Sequence, residues 1–86
     1  MGYEWDEEKR RANQEKHGVD FSRIEGFDWA TSTVRQDIRH EEQRFIAMGR
    51  VGTRLHVVVF TRRGGDIRII SFRRANSREI RDYEQR

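Results

Sequence analysis

His17, Lys9, Lys16, Arg68, Arg73, Arg74, Glu79 and Tyr83 fall in two short stretches near opposite ends of this 86-residue sequence. Together these side-chain types suit phosphate binding and proton transfer without a metal ion. RNA breaks its own backbone when a 2′-hydroxyl attacks the neighbouring phosphate. A protein accelerates that step by accepting one proton, donating another and stabilising charge on the phosphate oxygens. His, Glu, Lys and Tyr move protons, and Arg grips phosphate oxygens with a planar fork. His17 is the group whose ordinary pKa lies near neutrality. It also directly precedes Gly18, the expected end of a first helix, so it fits a second role as a residue interacting with the helix dipole. Spacing does not separate the two roles.

Other chemistries find less support. His17, His40 and His56 are widely separated, and no HxxxH or HxH spacing occurs. The His–carboxylate pair considered at helical spacing is Asp37 near His40, which reads as a solvated loop, so neither a metal nor another cofactor is expected. Ser71 sits in the middle of a predicted strand, with no GxSxG turn to expose it. The acids lie mostly in first turns and loops, where capping and solubility account for them. There is no cysteine, which removes disulfides, thiolate metal sites and thiol nucleophiles together and suits a reducing cytoplasm. No apolar stretch approaches the ~18 residues of a membrane span. The opening acids Glu4, Asp6, Glu7 and Glu8 are opposite in charge to a signal peptide.

Composition bounds the fold and its partners. Eighty-six residues predict one domain over 1–86. With 34% hydrophobic and 38% charged residues, its core must be small. A marginal core is a reason to expect a stabilising partner. The charge is uneven: residues 1–43 hold 7 Lys/Arg and 11 Asp/Glu, net −4, whereas residues 44–86 hold 11 and 4, net +7. A basic half favours a polyanion such as nucleic acid, or an acidic protein. Sixteen of the 18 basic residues are Arg, the better phosphate fork, although compositional bias of the source produces the same skew.

The elements that must position these residues read as α+β. Tyr3 to Trp5 suits a short edge strand. Asp6 is a helix N-cap, Glu7 and Glu8 favour the first turn, and residues 7–16 read as a mostly polar helix ended by Gly18 in the left-handed conformation. Asp20 caps a second helix over about 21–28, with Phe21, Ile24 and Phe27 on its inner face. The sheet begins near Thr31–Arg35, followed by a polar loop from Asp37 to Glu42. Three antiparallel strands follow over 44–51, 55–62 and 67–73, with turns at Gly52 and Gly64–Gly65. The nearly all-apolar middle strand is expected at the centre, covered on both faces. Asn76 and Glu79 form a capping box for a last helix over 77–85, with Ile80 and Tyr83 inward. The expectation is an antiparallel sheet packed by two N-terminal helices and one C-terminal helix.

Regular alternation along 67–73 puts Arg68 on the face of Ile70, Phe72 and Arg74, and Arg73 on the other with Ile67, Ile69 and Ser71. Arg68 and Arg73 then serve different surfaces. Trp5, Phe45, Phe60 and Phe72 read as core aromatics, of which an exposed one would be free to stack on a base.

The two end stretches resemble BrnT-type toxins of bacterial toxin–antitoxin pairs. The residues that carry this are Trp5, Asp6 and Lys9; Asn13; Lys16 to Phe21; the LHVVVFTRR strand from Leu55 to Arg63; and Ile67 to Ala75 with Glu79 and Tyr83. Phe72, where Ala is common, and Ile80, where Arg is frequent, depart from the pattern. The resemblance implies a fold akin to the RelE-like ribonucleases and metal-independent endoribonuclease activity that restrains growth. It implies a hetero-oligomer with a BrnA-type antitoxin, through which operator DNA is bound. His17 and Arg68 lead the candidate catalytic residues, followed by Lys9, Arg73, Glu79 and Tyr83. Lys16, Arg62, Arg63 and Arg74 are candidate RNA-binding residues. A non-catalytic nucleic-acid- or antitoxin-binding module on the same fold is the alternative.

Overall fold

The structure is a computed structural model and describes residues 2–39 and 41–86. Its elements are β1 (Tyr3–Glu4), α1 (Glu7–His17), a 3₁₀ helix (Phe21–Gly26), β2 (Thr33–Asp37), β3 (Arg44–Val51), β4 (Arg54–Arg63), β5 (Asp66–Arg74) and α2 (Ser77–Glu84). The α+β class is as expected. The sheet is not purely antiparallel: five strands run in the order β1-β5-β4-β3-β2, and β1 pairs with β5 in parallel. The chain enters at the sheet edge and reaches β5 only after the meander, so the short N-terminal strand can lie beside β5 in the same direction.

Local signals set most boundaries. The Asp6 carboxylate accepts from the amide of Glu8 at 2.8 Å and starts α1. Gly18 ends it at φ 70°, where a Cβ would be strained, and its N–H donates to the carbonyl of Gln14. Asp20 caps the next segment through the amide of Ser22. That segment is a six-residue 3₁₀ helix rather than an α-helix of eight. Its three-residue spacing is the repeat of a 3₁₀ helix, which stacks Phe21 and Ile24 on one side without completing α-helical turns. Both are fully buried, and Phe27 follows them into the core. Asp37, expected to open a loop, instead ends β2 buried and receives the guanidinium of Arg39 at 2.9 Å on each oxygen. The Asp37 and His40 proximity considered above involves His40, which lies outside the described residues.

The core lies on one face of the sheet, between the 3₁₀ helix and Ala47, Val58, Phe60, Ile67, Ile69 and Phe72. Gly49 belongs to this face. A Cβ there would sit 2.6 Å from Cζ of Phe27, so only glycine lets that ring lie flat against β3. β4 is the central strand, as expected, and is buried on both faces from Leu55 to Thr61 except at Val59. The opposite face carries Ile46, Met48, Val57 and Val59. Near its end α2 packs, with Tyr83 buried as expected, whereas Ile80, expected inward, is exposed.

The feature that matters most for function is a break in β5. Val59 pairs with Ser71 but Phe60 pairs with Ile69, so Ile70 is an extra residue. A bulge of this kind reverses the alternation of side chains beyond it. Phe72 on one side of the bulge and Ile69 and Ile67 on the other therefore all face the core. By the same shift Arg68, Ser71 and Arg73, opposite Thr61, Val59 and Val57, share the other face. The separation of Arg68 from Arg73 expected from regular alternation does not hold.

Candidate functional site

α1 runs beside β5 and is fastened to it by one side chain. Beyond β1, the outer edge of β5 has no strand partner, so its backbone groups need another source of hydrogen bonds. Asn13 supplies it. Its Oδ1 accepts from the amide of Phe72 at 3.1 Å, and its Nδ2 donates to the carbonyl of Phe72 at 2.7 Å and to that of Val19 at 3.0 Å. The buried amide thus mimics one residue of a missing strand. The sequence marked Asn13 only as part of a pattern; its burial on an otherwise polar helix is visible only in the fold.

This fastening leaves an open groove of about 210 Å³ between α1 and the bulge. Lys9, Lys16 and His17 line it from the helix, with Ile70 and Ser71 from the strand. Lys9 and Lys16 are exposed and His17 is half-buried. Burial pushes the His17 pKa below the ordinary histidine value, helped by the charges of Lys16 and then Arg73. The shift favours the neutral ring, in which one nitrogen is able to accept a proton.

Arg73 flanks the groove and is held rigidly. It forms a double salt bridge with Glu79, Nη1–Oε1 and Nη2–Oε2 each 2.8 Å. Glu79 completes the α2 capping box, accepting from the amide of Asn76 while its own amide donates to the Asn76 side chain. Hydrogen bonding to Arg73 holds the Glu79 carboxyl below its usual range, with a smaller push from the Asn76 amide, against an opposing effect of burial. Both Glu79 carboxylate oxygens are thus engaged, by Arg73 and by the Asn76 amide. Arg68, on the same face of β5, meets Glu4 at a longer 3.4 Å. Its partner Glu4 lies across the parallel β1–β5 pair.

The remaining candidates are dispersed. Tyr83 is buried and donates its hydroxyl to the carbonyl of Thr31 at 2.7 Å, with the Arg86 guanidinium 3.7 Å above its ring. It lines a separate cleft of about 320 Å³ with Arg50 and Ile80. Arg62 and Arg63 are exposed near the β4–β5 turn, Arg62 lying over the Phe45 ring. Arg74, next to Arg73, points to the opposite face, where it pairs across the strands with His56. Of the aromatics, Phe60 and Phe72 are buried, while Trp5 and Phe45 pack against the core half-buried. Among the described residues, no group of three or more His, Asp or Glu side chains gathers where a metal ion could sit.

Known proteins place this arrangement. The profile of the family described as ribonuclease toxin, BrnT, of type II toxin–antitoxin system matches residues 5–79. The chain is also similar to the Brucella abortus ribonuclease toxin BrnT, known from a crystal structure. The two are 32% identical over 90% of this chain and 99% of that one, with a TM-score of 0.75. No curated protein matches. The matched span holds the whole groove, from Lys9 and His17 to Ser71 and Arg73, and reaches Glu79. The chain belongs to the BrnT family of ribonuclease toxins of type II toxin–antitoxin systems.

Proposed function

We propose that this protein is a metal-independent endoribonuclease that arrests growth by cutting RNA in the cytoplasm. The observation that carries the reading is the placement of a half-buried His17 in a groove lined by Lys9 and Lys16, with the charge of Arg73 close enough to act on it. His17 is the general base: it takes the proton of the attacking 2′-hydroxyl. The resulting imidazolium, beside the positive charges of Lys16 and Arg73, readily gives that proton to the departing 5′-oxygen. Arg68 clamps the scissile phosphate. Its loose contact with Glu4 leaves most guanidinium donors available. Arg73, aimed by Glu79, adds a fixed positive charge, and Lys9 stabilises the phosphate oxygens or the leaving group. Tyr83 acts as a packing residue. Lys16 contacts the RNA directly, and Arg62 and Arg63 lie further along its path.

The fold is read as RelE-like. A BrnA-type antitoxin is the proposed partner, in a hetero-oligomer that covers the basic surface and reaches operator DNA through the antitoxin. No helix among the described residues is long and apolar enough to cross a membrane, in keeping with a proposed cytoplasmic site of action.

The test is cleavage of single-stranded RNA by the purified chain with a metal chelator present. Expected products end in 2′,3′-cyclic phosphate, and His17→Ala and Arg68→Ala each lower the rate on the order of a hundredfold or more while remaining folded. Binding without cleavage by the unaltered chain would leave a non-catalytic module. Folded variants that cut at the normal rate would shift the assignment to Lys9 and Arg73.

A further inference from the structure

A second cleft lies on the core side of β5, at the end where Arg74 emerges. Its volume is about 400 Å³, and Arg23, Arg54, Arg74 and His56 line it with the turns at Gly18 and Gly52. No carboxylate lines it. The side chains of Arg23, Arg54 and Arg74 are exposed and have no ion-pair partner among the described residues. Three unpaired guanidinium groups converge from three different elements: the 3₁₀ helix, β4 and β5. Neighbouring positive charges of this kind, with fork donors and no carboxylate among them, favour an anion between the groups.

His56 forms the inner wall. It is only 3% exposed, and its ring packs edge-on to Phe72 at 5.4 Å. Its Nδ1 lies 2.9 Å from the carbonyl of Arg54. A carbonyl only accepts, so Nδ1 carries the proton and Nε2 is left without a protein partner among the described residues. Burial lowers the pKa of this histidine; the nearby carbonyl opposes that, and the charges of Arg23, Arg74 and Arg54 lower it further. Those three arginines are the charged groups facing it, since Gly49 opposite on β3 and Phe72 bring none.

We infer that this cleft binds a phosphate group, and that its occupant is a backbone phosphate of single-stranded RNA neighbouring the one in the His17 groove. The cleft has fork donors for an anion and no exposed aromatic face for a base, so it reads backbone rather than sequence. Residues adjacent in the chain reach the groove and the cleft. His17 lines the groove and Gly18 the cleft; Arg73 flanks the groove and Arg74 lines the cleft. One residue of α1 and one of β5 separate the two sites. A strand turning round the end of α1 places phosphates in both. This inference rests on the ribonuclease reading for its choice of RNA, but not for phosphate binding as such.

The test follows the His56 ring by NMR in the full chain, with two probes. One is inorganic phosphate. The other is a short single-stranded RNA methylated at every 2′-oxygen, which cannot be cut. Both are expected to move the His56 resonances and raise its pKa, because an anion stabilises the imidazolium. Arg54→Gln with Arg74→Gln should abolish these shifts and weaken binding of the methylated RNA at least tenfold. It should also flatten the salt dependence by roughly 0.7 in log–log slope per lost phosphate contact. A His56 response to phosphate but not to RNA overturns RNA as the occupant. No response to either, or an unchanged response in the double variant, overturns the site. Cleavage does not enter these readings, so an inactive protein that still shows them retains the phosphate site and loses the ribonuclease assignment.

Discussion

Arg73 and Glu79 meet fork to fork, with both oxygen–nitrogen pairs at 2.8 Å, and the same carboxylate caps α2. One side chain thus fixes the start of the last helix and the direction of a groove-side guanidinium. Glu79→Gln retains an acceptor for the Asn76 amide and loses the charge. Glu79→Ala loses both. The pair is about one-third exposed on the Arg side, so solvent screening keeps its value small. We expect a loss of under about 1 kcal/mol for Gln and about 1–2 kcal/mol for Ala in urea unfolding. Equal losses would show that the cap contributes nothing. Because the folded pKa of Glu79 is lowered from 4.5, its contribution is present above that value and fades as pH falls through the folded one.

Asn13→Ala leaves the amide and carbonyl of Phe72 unpaired at a buried strand edge. The expected cost is about 2–4 kcal/mol, from the desolvation of groups that lose their partners. Asn13→Asp should also destabilise, since a carboxylate cannot donate to the Phe72 and Val19 carbonyls. Urea midpoints within experimental error of the unaltered chain would contradict the role assigned to this amide.

The pH profile of cleavage should report His17. Its pKa is lowered below 6.5, and the base must be neutral, so kcat/KM should rise with pH and level off below the point where a free histidine would. Removing one of the neighbouring charges, as in Lys16→Gln, should move the acid limb upward. A limb centred above 6.5 in the unaltered chain would sink His17 as the base.

Gly49→Ala places a methyl group against Cζ of Phe27 at 2.6 Å, which the ring must move to relieve. Thermal unfolding should show a loss of about 1–3 kcal/mol. Adding Phe27→Leu should cost less in the Gly49→Ala background than in the unaltered chain, because the clash is then removed. Strict additivity of the two changes would mean that the contact is not the cause.

Much of this fold was legible because its signals are local. Asp6, Gly18, Asp20 and the Asn76–Glu79 box act within a few residues of themselves, and each marks the boundary expected of it. β3 runs over 44–51, as the pattern predicts. Pairings across the chain were not legible. Nothing near Tyr3 announces a parallel partner at Ile67, and nothing near Asn13 announces Phe72. The bulge left a trace in the doubled Ile69–Ile70 followed by Phe72, where apolar residues change phase. Reading the strand as regular hid it, and with it the shared face of Arg68, Ser71 and Arg73. The second cleft was missed for a related reason. His56 sits in an apolar run, and Arg23, Arg54 and Arg74 are far apart until the sheet closes.

The Asn13–Phe72 clasp spans 59 residues, and both walls of the groove depend on it. During synthesis α1 leaves the ribosome long before β5 exists. The groove therefore has one wall until the meander is nearly complete, and the pairing of β1 with β5 is equally deferred. Contacts of such long separation also form late in refolding, after local turns and hairpins. A chain interrupted anywhere before Phe72 carries His17 with nothing facing it. The groove first takes shape when Phe72 of β5, more than four-fifths of the way along the chain, closes against α1.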